Sequence, residues 1–279
     1  MKHTPWSLLR DARYALPGLV ERAVPGPGAE QAARICARLG KRGLATSAGF
    51  FHPGDAAPGA IVAVYLDLAA RLRALGADTY LSVKAPALAF DPAAIAAIAG
   101  GGLPLVLDAH SEAQAEPTLA LASAMPDIGA ALPARWQRSA GDAQALRDAP
   151  ARLRIVKGEW VDPAGDVPDV AANYLELVRA LAGRSAPVAV ATHDPALARA
   201  ALEVLKASGT PCELEQLRGL PRRRTTAIAR QLGVPVRLYC PFGPGWWPYA
   251  IDKALARPYL PLWLVRDFLG PYLENTNLK

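Results

Sequence analysis

Seven places along this chain put reactive side chains directly after short apolar runs. They are Lys84, Asp108 with His110, Arg135, Arg154 with Lys157, Thr192-His193-Asp194, Glu215 with Gln216, and Tyr239. Lys84 and Lys157 each follow a valine, in Leu-Ser-Val-Lys and Arg-Ile-Val-Lys. A lysine that leaves an apolar strand inward needs an anionic partner or ligand, because a buried charge is costly unless paired. Two inward cations beside Arg154 therefore point to an anionic ligand, a phosphate or a reduced ring that carries charge.

Other chemistries are weaker on the same residues. His110, His193, Asp108, Asp194 and Glu215 supply the minimum for a metal-dependent hydrolase. No H-x-H occurs, and the neighbouring lysines and arginine would repel a divalent cation, so no metal is expected. A serine triad has no G-x-S-x-G elbow to stand on. Cys36, Cys212 and Cys240 are odd in number and far apart, which excludes a disulfide framework and a C-x-x-C site. Cys212 and Cys240 read as small core residues.

The elements that position these residues follow from periodicity. Runs bounded by Gly, Pro or Asp predict eight strands, over 43–50, 79–85, 103–109, 128–136, 152–160, 187–193, 211–217 and 235–241. Helical spacing separates most of them. Ile61, Val64, Leu68, Leu72 and Leu75 mark one helix, and Val170, Tyr174, Leu177 and Leu181 another. Strands alternating with helices pair in parallel through right-handed crossovers. Eight such units, without a G-x-G-x-x-G first turn, match a (β/α)₈ TIM-type barrel better than an open doubly wound sheet. Active sites of such barrels lie at the C-terminal ends of the strands, which is where the polar residues cluster. Residues 1–42 are expected to form a helical extension, 43–279 a single barrel domain, and 258–273 a closing helix or turn.

Composition agrees with a folded enzyme. The chain is 52% hydrophobic and 20% charged, far from the composition of disordered segments. No stretch approaches the roughly 18 apolar residues of a membrane helix, and residues 1–13 lack a signal-peptide pattern, so a cytoplasmic location is expected. Attachment to the periphery of the inner membrane is the second expectation. The net charge of +6, densest at Arg222-Arg223-Arg224, favours anionic ligands or headgroups only weakly, and no nucleic-acid partner is expected.

The ordered segments resemble the catalytic barrel of the proline dehydrogenase family, flavoenzymes with a distorted (β/α)₈ fold. Leu81-Ser-Val-Lys84 resembles the family's second strand, and Asp108 stands where its third strand carries an acid. Arg154-Ile-Val-Lys157-Gly158 is similar to R-L-V-K-G, and Ala191-Thr-His-Asp194 to A-T-H-D/N. Arg237-Leu-Tyr-Cys-Pro-Phe-Gly243 followed by Trp246-Trp-Pro-Tyr249 resembles R-V-Y-x-P-F/Y-G and W-Y-P-Y, spacing included. The resemblance implies non-covalent FAD held by Arg154, Val156, Lys157, Gly158, Thr192 and His193. It also implies a chamber lined by Lys84, Asp108, Tyr239 and Tyr249, with Lys84, Asp108, Arg154 and Tyr239 as the catalytic set. The implied reaction is hydride transfer from the carbon next to an amine nitrogen, with a quinone or oxygen as electron acceptor.

Departures from the family bear on the substrate. The two arginines that clamp a substrate carboxylate are replaced by Asp252 and Lys253, which together are net neutral. Pro133 replaces a flavin-contacting glutamine, Arg135 an aromatic residue, and Asp108-Ala-His-Ser111 a D-M-E-D stretch. The expectation is a flavin-dependent dehydrogenase or oxidase for a proline-like cyclic amine without a free carboxylate, or for a prolyl group tethered to a carrier protein. The alternatives are an authentic proline dehydrogenase making pyrroline-5-carboxylate, with Lys253 or Arg135 meeting the carboxylate, and a catalytically silent barrel that binds flavin or a partner.

Overall fold

The computed structural model describes residues 26–109 and 111–246. Helix α1 (Ala29–Gly40) precedes the barrel, which begins with β1 (Ala45–Phe50), α2 (Pro58–Ala74), β2 (Thr79–Lys84), α3 (Pro92–Ala99), β3 (Leu105–Asp108), α4 (Ala115–Ala124) and β4 (Ile128–Pro133). It continues with α5 (Ser139–Ala145), β5 (Leu153–Val156), α6 (Val170–Ala180), β6 (Val188–Ala191), α7 (Pro195–Ala207), β7 (Cys212–Leu217), α8 (Arg223–Gln231) and β8 (Val236–Phe242). The strands pair in sequence order, all parallel, and β8 closes onto β1. The expected barrel and each of its eight strands are present. The expected closing element over 258–273, like Tyr249, Asp252 and Lys253, lies outside the described residues, as does His110.

Element boundaries have local causes. Asp91, Asp169 and Asp194 cap α3, α6 and α7 by accepting backbone N–H bonds, and Pro92 and Pro195 occupy the first helical position, where a missing N–H costs nothing. Strand β5 stops at Val156 rather than at 160, because Gly158 turns the chain with φ +92°, a region that favours glycine. Strand β4 stops at Pro133, whose nitrogen has no proton to donate. Helix α1 buries Ala32, Ala33, Cys36 and Leu39, one stripe of its surface, against the β1 and β8 side of the barrel.

Two layers of core result. Outward strand residues such as Leu81, Val83, Leu107, Ile155, Val190 and Leu214 pack beneath the helices. The barrel interior carries charge instead of the usual branched aliphatics. Toward its N-terminal end Glu213 accepts from Arg237 Nε at 2.8 Å and pairs with Arg152, and both guanidiniums lie over the Tyr80 ring, at 5.0 and 5.2 Å. Among the described residues no helix is long and apolar enough to cross a membrane.

Candidate active site

Register brings the sequence-predicted residues together. Lys84 on β2 lies opposite Asp108 on β3, and Ala131 on β4 opposite Arg154 on β5, so one inward row carries Lys84, Asp108 and Arg154 toward the strands' C-terminal ends. There a cavity of about 570 Å³ opens, lined by those three together with Tyr239, Glu215, Val156, Gly158, Thr192 and His193 among others. That is the size and position of a small-molecule site in this architecture.

Arg154 is the centre of the charge network. Its Nη2 donates to Asp108 Oδ1, and its Nη1 lies 3.5 Å from Glu215 Oε1. Ser82 donates to the other Asp108 oxygen, while Ser47 (2.5 Å) and Tyr80 donate to Glu215. The guanidinium is buried, 5.7 Å from the Tyr239 ring centroid, and its Nε meets no acceptor. An unsatisfied buried N–H of this kind is costly, and an acceptor from a bound ligand would relieve it. Burial alone would raise the Asp108 pKa, but the Arg154 charge and the bonds from Arg154 and Ser82 outweigh it and hold the carboxyl below its ordinary value. Burial pushes the Tyr239 phenol up, helped by Asp108. Tyr239 on β8 leans into space left by Gly49 on the neighbouring strand β1, where any Cβ would collide with its hydroxyl.

Lys84 donates from Nζ to Phe50 O at 3.0 Å and sits 3.8 Å from the Phe51 ring centroid. Burial brings its ammonium down to about 8, Asp108 opposing and Arg154 adding to the effect. In the unfolded chain it titrates near 10.5, so between these values the unfolded state binds more protons and stability rises with pH. The stability of the parent relative to Lys84→Met is therefore expected to improve from pH 8 to pH 10.5, by at most about 1.4 kcal/mol per pH unit. Urea denaturation of both proteins across that range checks it, and a flat difference would refute the burial of this charge.

Three sequence expectations need correction. Lys157 is not an inward cation: β5 ends at Val156, and the exposed ammonium reaches along the rim to Asp194 at 3.4 Å. Arg135 does not line the cavity; its Nε lies 2.8 Å from Asp166, and its Nη1 donates to Glu159 O. Asp194 serves as the α7 cap rather than facing the cavity. His193 does line it, with Nδ1 2.7 Å from Pro221 O and Nε2 accepting from the Leu217 N–H, so both nitrogens already have protein partners. Among the described residues, no three of His, Cys, Asp and Glu converge as a metal site would require. Thr192 is buried, its hydroxyl accepting from the Asp194 N–H.

Other wall residues were not singled out from sequence. Glu159 and Trp160 follow Gly158 in the β5–α6 loop, and Trp136 Nε1 donates to Trp160 O at 2.9 Å. Ser47, Tyr80 and Ser82 hold the interior carboxylates, and only the period-2 parity shared with Lys84 could have flagged Tyr80 and Ser82.

No family model matches the chain. Over 149 residues it is 30% identical to the proline dehydrogenase of Deinococcus radiodurans and 25% identical to proline dehydrogenase 1 of Bacillus subtilis subsp. natto. Each match covers 51% of this chain and 48% or 49% of the relative, so the chain matches about half the length of these curated relatives. The structure is similar to proline utilization A from Bdellovibrio bacteriovorus inactivated by N-propargylglycine, with TM-score 0.72 and 16% identity, over 95% of this chain and 35% of that one. Proline utilization A from Corynebacterium freiburgense gives TM-score 0.65 and 17% identity, over 91% and 32% of the two chains. At such identities the structural likeness speaks for the fold, and the sequence matches, which span half of the chain, support a divergent relative of the proline dehydrogenases.

Proposed function

We propose that the chain is a flavin-dependent dehydrogenase or oxidase of the proline dehydrogenase type, acting on the CH–NH group of a small cyclic amine and leaving an imine. The observation that carries it is the convergence of Arg154, Lys84, Asp108 and Tyr239 on one cavity at the strands' C-terminal ends. The donor set fits FAD. Arg154 has a buried N–H without an acceptor, Val156, Ala131 and Ala191 offer an apolar wall, and Gly158 passes where a Cβ would press on Pro133 and Arg135 at 3.0 Å. Arg154, Val156, Lys157, Gly158, Thr192 and His193 would hold the cofactor non-covalently, Lys157 from the rim.

Bound FAD would supply the hydride acceptor. The chain's own residues would bind and orient the amine: Asp108 and Tyr239 position it, and Lys84 sets the charge of the chamber. Arg154, fixed by two carboxylates, would present its positive charge to whatever negative charge develops beside it, at no cost of reorganisation. Hydride leaves readily only from a carbon beside a neutral amine, so the rate is expected to rise with pH as the substrate ammonium loses its proton.

The proposed substrate is a proline-like amine without a free carboxylate, or a prolyl group on a carrier protein, with a quinone or oxygen as electron acceptor. Tyr249, Asp252 and Lys253 would complete the substrate side. The names of the curated relatives favour a second reading, in which proline itself is oxidised to pyrroline-5-carboxylate. Heat or acid should release a chromophore with the spectrum and mass of FAD, and anaerobic addition of a cyclic amine should bleach it. A protein that stays colourless after incubation with excess FAD would overturn the flavin reading and leave the silent barrel.

A further inference from the structure

We infer that Glu215 is a positioning residue for the flavin reaction: it fixes the Arg154 guanidinium and, through its negative charge, lowers the reduction potential of the bound flavin, favouring the passage of electrons onward to the acceptor. This rests on the flavin-dependent reading above and deepens it.

Glu215 is 1% exposed, yet it borders the cavity. Its two oxygens are taken up by the protein. Oε1 accepts from Ser47 on β1 at 2.5 Å and lies 3.5 Å from Arg154 Nη1 on β5, while Oε2 accepts from Tyr80 on β2. With both oxygens engaged, Glu215 is poorly placed to take a proton from an amine, so its effect on the reaction passes through Arg154. The Tyr80 donor is itself secured. Burial and then the Glu215 charge push its phenol well above the ordinary value, Arg154 opposing, so the hydroxyl keeps its proton near neutral pH. The Arg152 and Arg237 guanidiniums flank the same ring at 5.2 and 5.0 Å.

The direction of the effect follows from charge. Asp108 already gives Arg154 one counter-ion, and Glu215 adds a second, held where burial leaves it little screened. Reduction adds negative charge to a flavin, which Arg154 favours and Glu215 opposes. This sign does not depend on the net charge of the cavity. Whatever Lys84 and Asp108 contribute, neutralising Glu215 with its shape kept favours the reduced flavin. In the cycle the amine C–H bond breaks with its electron pair going to the flavin as hydride, and the N–H proton leaves as the imine forms. Re-oxidation then passes two electrons and two protons to the quinone or oxygen. Glu215 thus gives up driving force in the first half-reaction and gains it in the second.

The test measures the two-electron reduction potential of the flavin-loaded parent, Glu215→Gln, Glu215→Met and Tyr80→Phe against a reference dye, with melting curves to show that each folds. Both neutral variants at 215 should raise the potential by about 30 mV, tenfold in the reduction equilibrium. Glutamine still accepts from Arg154 and should keep the affinity for FAD, whereas methionine releases the guanidinium and should weaken it roughly tenfold. Tyr80→Phe loosens the same cluster but leaves the charge, and should not raise the potential. In single turnovers with pyrrolidine and then a water-soluble benzoquinone, Glu215→Gln should be reduced faster and re-oxidised more slowly than the parent, while a merely structural defect slows both. An unchanged potential in the neutral variants, an equal rise in Tyr80→Phe, or failure of both neutral variants to fold with FAD overturns the inference. A raised potential in a protein that no amine bleaches sinks the amine-oxidising reading and leaves the role of Glu215 standing. Bleaching by pyrrolidine with an unchanged potential does the reverse.

Discussion

Arg154→Met is expected to destabilise the protein by about 3–5 kcal/mol, a large share of the stability of a domain this size. The guanidinium is the shared partner of two carboxylates inside the barrel, Asp108 and Glu215, and the latter is almost wholly buried. Methionine fills the volume but leaves both acids without their counter-charge, and an uncompensated buried charge is among the costliest single defects. The pH dependence gives the effect a signature. In the parent, Asp108 titrates below its ordinary value of 3.8, so its contribution is present above that pH and is lost only as pH falls through its folded pKa. Without Arg154, burial acts on Asp108 with less opposition and raises its pKa, so the gap between parent and variant should be widest at neutral pH and narrow toward pH 4. Urea denaturation at pH 7 and pH 4 checks this. Adding Glu215→Gln to the variant should recover part of the loss at pH 7, since it removes one of the stranded charges. A variant as stable as the parent would mean that the two carboxylates do not depend on Arg154. In the folded fraction, flavin reduction should slow more than substrate binding weakens, because the contact strengthens as charge develops.

How much of this was legible in the sequence depends on the range of the interaction involved. The eight strands were, because each is a short apolar run closed by Gly, Pro or Asp, and punctuation of that kind acts locally. That Lys84, Asp108 and Tyr239 gather at one end also followed, since parallel strands all present their C-terminal ends on one face. The direction in which a side chain leaves a strand end was less accessible. Lys157 looks equivalent to Lys84, each following a valine, yet Lys84 is still within β2 and keeps its inward parity, while Lys157 lies beyond the last residue of β5. Glu215 appeared as one more polar strand end. Its role in holding Arg154, Tyr80 and Ser47 depends on a register across four strands that no local pattern encodes. Glu159 gave no signal because it follows the recognisable Arg-Ile-Val-Lys-Gly segment in a loop whose path depends on the Arg135–Asp166 pair.

Free proline is expected to reduce the bound flavin far less efficiently than pyrrolidine or a proline ester. The barrel walls described above offer no replacement for a carboxylate clamp. Arg154 is committed to two acids, Lys84 to a carbonyl and a ring, Arg135 to Asp166, and Lys157 faces solvent beside Asp194. On the resemblance drawn from the sequence, the family's arginine pair would correspond to Asp252 and Lys253, which carry no bidentate guanidinium fork. A desolvated carboxylate that loses such a partner forfeits about 2–5 kcal/mol, which corresponds to roughly thirty-fold to several-thousand-fold in affinity. Pyrrolidine has no carboxylate to strand, and an ester replaces it with a neutral group, so both escape this loss. Anaerobic stopped-flow mixing, with bleaching followed against amine concentration, separates the cases: the handicap of proline should fall mainly on the half-saturating concentration, because the missing contact holds the ground state and the transition state alike. The double variant Asp252→Arg, Lys253→Arg should recover proline oxidation and gain little with pyrrolidine. If the parent already oxidises proline as efficiently as pyrrolidine, and the double variant does no better, the carboxylate is held by another group and the enzyme is a proline dehydrogenase in substrate as well as in fold.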